Sequence, residues 1–392
     1  MQLIYSLLII AGIWAIVYIV SKYLRLDERF GWSIGPLFLL MRTKRFNDFL
    51  KRVAKKYARL WRAIGNISIF TGFILMFLAL GLFLFTLIDF FLPSPVVNTG
   101  GGAVGLIIPG VTISFKTFLY LIIPLFLTMI PHEFAHGVVS HADGVELKST
   151  GLAFFAVFFG AFVEPDEEDL MKAPALTKMR TFAVGMFPNV ILGLLTIPVL
   201  IFSSNILAPF YESPDGVLVF EVVADSPAGS VGWEKGTVMF DINSTHLSNA
   251  EVFSSYMGKT SPNDLLIVNT SQGMFNIIVG TNPANDSLGY LGVKTLTYQA
   301  PKFAFPGKFF PYYFGQQTMW MLVVSFGSVL FNALPIPVLL DGDKLLTSFL
   351  SHYMKNQKIA HIIISFLRFL AILLFFANLI LPLVRYGFVP FG

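Results

Sequence analysis

The stretch IPHEFAHGVVSH sets His132 and His136 four residues apart, with Glu133 between them. On a helix of about 3.6 residues per turn the two imidazoles share one face, where both can bind Zn²⁺. Glu133 is then placed to act as general acid/base on an attacking water. The motif closes TFLYLIIPLFLTM, a run with no charged residue. Intramembrane ionisable groups cost about 2.5–3.5 kcal/mol each at a helix centre on insertion scales, so a cluster there calls for a function. The plainer alternative is a pair of interfacial histidines with a snorkelling glutamate.

A catalytic zinc takes three protein ligands and leaves a fourth position for water. The absence of cysteine restricts any metal site to His and carboxylates. Asp341, in NALPIPVLLDGDK, ends a later apolar run and falls at the same expected membrane depth as the two histidines. Pro335 and Pro337 break the helix before it, which is tolerated at that depth only where the freed backbone lines a cavity or is buried in protein. Asp343 is expected to face solvent at the boundary. His141, five positions past His136 and about 140° further round the helix, is expected to be interfacial and not a ligand.

These residues must be carried by membrane elements. Of 392 residues, 55% are apolar and 13% charged, which excludes an ordinary soluble domain and points to an integral membrane protein. Twelve of the 27 Lys and Arg fall between Lys22 and Arg62, against three acids. This asymmetry predicts a cytosolic segment rather than nucleic-acid binding. Residues 1–20 predict a signal anchor, residues 46–64 an interfacial amphipathic helix, and residues 66–88 an outward span. An external Gly/Pro loop follows; its TGGGAVG lacks the ending of a phosphate loop. The zinc helix, about residues 117–136, returns inward. Residues 181–211, 309–340 and 362–384 complete six spans, with Arg368 snorkelling at the inner end of the last.

Residues 151–163 are apolar but too short to span as a helix, and their Phe and Val content predicts a re-entrant strand or hairpin. Its unpaired edge, around Gly151, Phe155 and Val157, is expected to receive an unwound substrate segment by strand addition. Residues 213–297 change to soluble composition, with GVLVFEVV, DLLIVN and MFNIIV reading as strands. Ser248 with Glu251 predicts a capping box. Sequons at Asn243, Asn269 and Asn285 agree with an extracytosolic side.

HEFAH together with NALPIPVLLDG resembles the paired motifs of the site-2 protease family of intramembrane zinc metalloproteases. LIIPGVTISF, GAFVEP and RTFAVGMFPN resemble further segments of its archaeal and eukaryotic branch, and VVADSPAGSVGWEKGTVMFDIN resembles its inserted PDZ domain. The resemblance covers about residues 105–343. It implies His132, His136 and Asp341 as ligands of one Zn²⁺ per chain, and Glu133 as the catalytic acid/base. It further implies Asn189 and Asn332 as polar groups near the substrate, for which helix–helix hydrogen bonding is the alternative. The family often has Gly-Pro-x-x-Asn where this chain has Gly185-Met-Phe-Pro188-Asn189, so the Asn is kept and the Pro displaced.

The resulting expectation is a polytopic α-helical membrane protein of about six spans with a re-entrant β segment and an inserted α+β PDZ-like domain. Its parts are residues 1–65 (anchor and basic segment), 66–212 (first part of the core), 213–298 (PDZ-like domain) and 299–392 (second part of the core). The expected activity is zinc-dependent hydrolysis of a peptide bond within or beside a transmembrane segment of a substrate protein embedded in the lipid bilayer. The zinc would lie towards the cytosolic face and the PDZ-like domain outside. The alternatives are a membrane zinc protease of another family acting on soluble tails, and a non-catalytic PDZ-bearing receptor. A metal transporter fits poorly, with one ligand set and no inverted repeat.

Overall fold

The structure, a computed structural model, describes residues 2–92, 113–155, 158–338 and 340–386. Most of the expected external Gly/Pro loop, and Val157, lie outside the described residues. The chain divides into two compact units, Met1–Ile197 with Gln317–Gly392, and Pro198–Gln316.

The first unit opens with α1 (Gln2–Tyr23), α2 (Leu26–Phe30), β1 (Ser33–Ile34) and β2 (Phe38–Thr43). Then comes α3 (Arg45–Phe91), 47 residues long. At about 1.5 Å per residue it far exceeds a bilayer core of roughly 30 Å. The helix kinks at Tyr57, whose backbone is non-helical, so the break falls inside the amphipathic segment and the second part of that segment runs on into the second span. No proline intervenes to separate them. The zinc-motif helix α4 (Phe115–Ala142) is N-capped by Ser114, whose side chain accepts from the Thr117 amide at 3.0 Å. Leu50 and Ala54 of α3 pack against Val138 and Ala142 of α4, anchoring the end of the helix that carries the motif.

After α4 the chain forms β3 (Leu147–Phe155) and β4 (Phe158–Pro165), then α5 (Glu167–Lys172), α6 (Ala175–Ala183) and α7 (Met186–Ile201). The hairpin expected at residues 151–163 is part of a four-stranded antiparallel sheet in the order β1-β2-β3-β4. Strand β3 is internal: Gly151 is aligned with Arg42 on one side and Phe162 on the other, and Phe155 with Phe38 and Phe158. The free edge expected at Gly151 and Phe155 is thus filled by β2, and the outer edge of the hairpin belongs to β4. The expected fourth span, 181–211, falls on α6 and α7, which run together as one span-length apolar stretch, residues 175–201, and it ends at Ile201.

The second unit holds α8 (Ser203–Leu207), β5 (Tyr211–Val222), α9 (Pro227–Ser230), β6 (Val238–Ile242), β7 (Thr245–His246), α10 (Ala250–Met257), β8 (Leu265–Thr270), β9 (Gly273–Ile278), β10 (Gly280–Asn282), β11 (Asn285–Tyr290) and β12 (Val293–Pro301). Its main sheet runs β12-β5-β6-β8-β9, and buried residues such as Val217, Val219, Met239, Ile242 and Val268 form its own core. The cap of α10 is Asn249, one residue after the expected Ser248; its side-chain oxygen accepts from the amides of Glu251 and Val252.

The chain leaves this unit through α11 (Phe310–Ala333) and ends in α12 (Asp341–Tyr353) and α13 (Gln357–Tyr386). Four helices among the described residues are long and apolar enough to cross a membrane: 45–91, 115–142, 175–201 and 357–385.

Candidate metal centre

His132 and His136 lie one turn apart on α4, and their Nε2 atoms are 3.1 Å from each other. Asp341 is brought to them from 205 residues further along the chain. Its Oδ2 lies 3.1 Å from each Nε2. All three residues are buried, at 7, 8 and 9% exposure, so water does not satisfy these atoms freely. Helix α11 ends at Ala333 ahead of Pro335 and Pro337, and the chain restarts as a helix at Asp341. The carboxylate thus sits in the first turn of α12, where the helix dipole favours negative charge. Gly342 is required by the tight approach of these two helices: a Cβ there would collide with the carbonyl of Ala333.

The donor set fits a divalent cation. His136 Nδ1 donates to the Thr181 carbonyl at 2.5 Å, in the last turn of α6, where carbonyls lose intrahelical partners. The Nε2 of a neutral His136 is then a lone pair, as is Asp341 Oδ2. One proton on His132 Nε2 can point at only one of them. A shared cation satisfies all three, and edges of about 3.3 Å are those of a tetrahedron with bonds of about 2.0 Å. His132, His136 and Asp341 form the one such group of His and acidic side chains among the described residues.

Around this donor group, Asn189 of α7 places its amide nitrogen 3.5 Å from His132 Nδ1 and 3.2 Å from the Ser328 hydroxyl. With His132 Nε2 turned to a cation, Nδ1 carries the proton; exchanging the Asn189 amide nitrogen and oxygen, which a rotation of the side-chain amide achieves, would make the oxygen that now lacks a partner its acceptor. Asn332 donates to the Ser328 carbonyl at 3.0 Å, one turn back on its own helix. It joins the ligands only through Ser328 and Asn189. Gly185, in the break between α6 and α7, faces the ligands directly: a Cβ would collide with His136 Nε2 and the His132 ring. By the sequence resemblance Gly185 stands only as part of Gly185-Met-Phe-Pro188-Asn189, with no role of its own; the signal was a glycine four residues before Asn189 in a charge-free run.

Glu133 does not join the ligand set. It is half-buried, and its Oε2 accepts the backbone N–H of Val163 on β4 at 2.9 Å. One turn earlier on α4, Met129 Sδ accepts the Ala161 N–H at 2.9 Å. The outer edge of β4 therefore lies against the metal-motif helix.

Two expectations at the rim are corrected. Asp343 does not face solvent: it is 4% exposed and forms a bidentate pair with Arg368, at 2.6 and 2.8 Å. Arg368 is accordingly an ion-pair partner and not a free snorkelling side chain. The side chain of His141 is 4% exposed, with Nδ1 3.6 Å from the Glu146 carboxylate, apart from the ligand group.

Comparison with known proteins gives four findings. The model of Peptidase family M50 matches residues 120–376. An uncharacterized protein of Methanocaldococcus jannaschii is 26% identical over 309 residues, 73% of this chain and 76% of the relative. The membrane-bound transcription factor site-2 protease homolog of Arabidopsis thaliana is 23% identical over 190 residues, 48% of this chain and 36% of the plant protein. Among solved structures, the PDZ domain of the SdrC-like protein from Listeria monocytogenes is similar at 21% identity, covering 21% of this chain and 87% of that one, with a TM-score of 0.19.

Proposed function

The chain belongs to peptidase family M50, and from that premise we propose that it is an intramembrane zinc endopeptidase that cleaves transmembrane segments of other proteins within the bilayer or at its edge. The observation that carries the chemistry is the triangle of buried donors, each 3.1 Å from the other two. His132, His136 and Asp341 would hold one Zn²⁺. When bound, the metal supplies Lewis-acid polarisation of the scissile carbonyl and of the attacking water. Glu133 takes a proton from that water and passes it to the leaving amine. The Thr181 carbonyl would orient His136 through its Nδ1 proton, and Asn189, with its amide turned oxygen-first, would do the same for His132. Neither rival reading, a soluble-tail protease or a non-catalytic receptor, is favoured by the family match.

A helical substrate hides its carbonyls in its own hydrogen bonds, so the segment must unwind and find new partners. We place the extended substrate along the outer edge of β4, where the N–H groups of Ala161 and Val163 point away from β3. A strand added there by β-augmentation would lie beside α4 and its ligands. It would also claim the Val163 donor that holds Glu133, so substrate arrival would release the base. Asn332 would serve the bound segment after leaving Ser328.

Six spans are proposed: the four long apolar helices together with α1, of 22 residues, and α11, of 24. With the basic segment cytosolic, this count puts the ligands towards the cytosolic face and the PDZ-like unit outside, where it would act on substrate selection. Metal analysis of purified protein tests the site. Glu133→Gln should keep one zinc per chain and lose cleavage, whereas Asp341→Ala should lose both. Normal zinc content and cleavage in Asp341→Ala would move the third ligand elsewhere.

A further inference from the structure

The four-stranded sheet is graded from end to end. At one end Phe38, Phe155 and Phe158 are aligned across β2, β3 and β4, and Phe159 stacks on Phe126 of α4 with ring centroids 4.3 Å apart. Phe126 is 16 residues before the end of α4, about 24 Å along the helix, and with α4 taken as a membrane span, as proposed above, this end of the sheet would lie deep in the bilayer. At the other end stand Arg42, Lys148 and Glu164. On that placement the strands would pass from hydrocarbon depth to headgroup depth along their length.

At the charged end, a cleft of about 900 Å³ gathers Arg29, Arg42, Lys44, Arg45 and Lys148 against a single acid, Glu164. Lys148 is paired with Glu164 at 2.9 Å, and Arg42 donates to the Ser33 hydroxyl. Arg29, Lys44 and Arg45 have no carboxylate partner among the described residues. The remaining wall is apolar: Phe30 and Trp32, whose rings are 5.4 Å apart, with Met41 and Leu152. The cleft is bracketed by α2, which follows the apolar α1 directly, and by the first residue of α3. None of these side chains takes part in the metal centre.

We propose that this cleft is a binding site for an anionic phospholipid, with the phosphate among Arg29, Lys44 and Arg45 and the first acyl carbons against Trp32, Met41 and Leu152. Three unpaired cations beside an apolar wall match an amphiphile with a negatively charged head. A soluble phosphate has no use for the wall, and an acidic peptide has no use for its depth. Basic side chains at a membrane surface each favour anionic lipid by about fivefold. The cleft is lined from β2, β3 and β4 and by no residue of α4, so an occupant would brace the sheet that borders the metal centre without touching it.

The test uses the full chain in phosphatidylcholine nanodiscs containing a graded fraction of brominated phosphatidylglycerol or brominated phosphatidylcholine. Bromine quenches tryptophan, and subtracting Trp32→Phe protein isolates Trp32 from the other four tryptophans. Phosphatidylglycerol should quench Trp32 at a fraction at least about tenfold lower than phosphatidylcholine. The triple variant Arg29→Gln/Lys44→Gln/Arg45→Gln should abolish that preference, and the charge-retaining Lys44→Arg/Arg45→Lys should keep it. Equal quenching by the two lipids, or an unchanged preference in the triple variant, overturns the proposal. Displacement of phosphatidylglycerol by millimolar inorganic phosphate would reassign the cleft to a free anion, and displacement by a soluble Glu-rich peptide would reassign it to a protein segment. Proteolysis of a membrane substrate, assayed in parallel, reports on the metal centre separately.

Discussion

The backbone N–H of Val163, on the outer edge of β4, donates to the Glu133 carboxylate at 2.9 Å. The residue read as general base is held by a donor that an added substrate strand would need. Hydrogen bonds to charged groups contribute about 1.5–3 kcal/mol, roughly one to two orders of magnitude in rate if lost from a bound state. Val163→Pro deletes this donor, which points away from β3 and so is not part of the β3–β4 ladder. It should lower cleavage by at least about tenfold while zinc content stays at wild type. Val163→Ala, which keeps the N–H, should stay within about threefold. Wild-type cleavage by correctly inserted Val163→Pro would remove both the restraint on Glu133 and strand addition at this edge.

Gly185 is packed against the nitrogens of the proposed ligands His132 and His136, so a residue there is limited by sterics rather than by backbone freedom. Alanine is the better helix former by about 1 kcal/mol, and on propensity alone Gly185→Ala would be harmless. The collision of a Cβ with His136 Nε2 and the His132 ring predicts the opposite. Zinc affinity measured by competition with a chelator should fall by at least about tenfold, in the range known for disturbed ligand orientation. Gly81→Ala, with no atom near its added Cβ, should leave zinc affinity unchanged.

Asp343 is two residues past a proposed ligand yet is committed to Arg368 of α13. Removing one member of a buried pair costs about 3–5 kcal/mol; the partial exposure of Arg368, 34%, puts the expectation near the lower bound. Asp343→Ala should lower the thermal midpoint by several degrees, and Asp343→Arg with Arg368→Asp should recover part of the loss. Recovery by the swap distinguishes the pair from a local fault at the start of α12.

The second unit has its own sheet and core. Replacing residues 213–298 with a short Gly/Ser bridge should leave measurable cleavage of a bare transmembrane substrate, and should change the preference between substrates with long and short external domains. An inserted, zinc-loaded deletion that cleaves nothing would count against an accessory role for this unit.

What could be read from the sequence is what depends on neighbours a few residues away. The 3.6-residue period puts His132 and His136 on one face. The charge-free runs mark the long apolar helices, and Pro335 and Pro337 end α11 ahead of Asp341. The strand character of residues 151–163 is equally local, set by Phe and Val with no length for a span. Gly151 and Phe155 show where this stops: whether β3 is an edge depends on residues 38–43, more than a hundred positions earlier, and no pattern within the hairpin records that pairing. The same holds for Gly185 under the imidazoles, for Asn189 behind His132, and for Asp343, whose proximity to a charged boundary suggested solvent until α13 supplied Arg368. Short-range periodicity is written into the order of side chains. Burial, edge pairing and close approach are decided by which distant segments pack together, so only the tertiary structure assigns them.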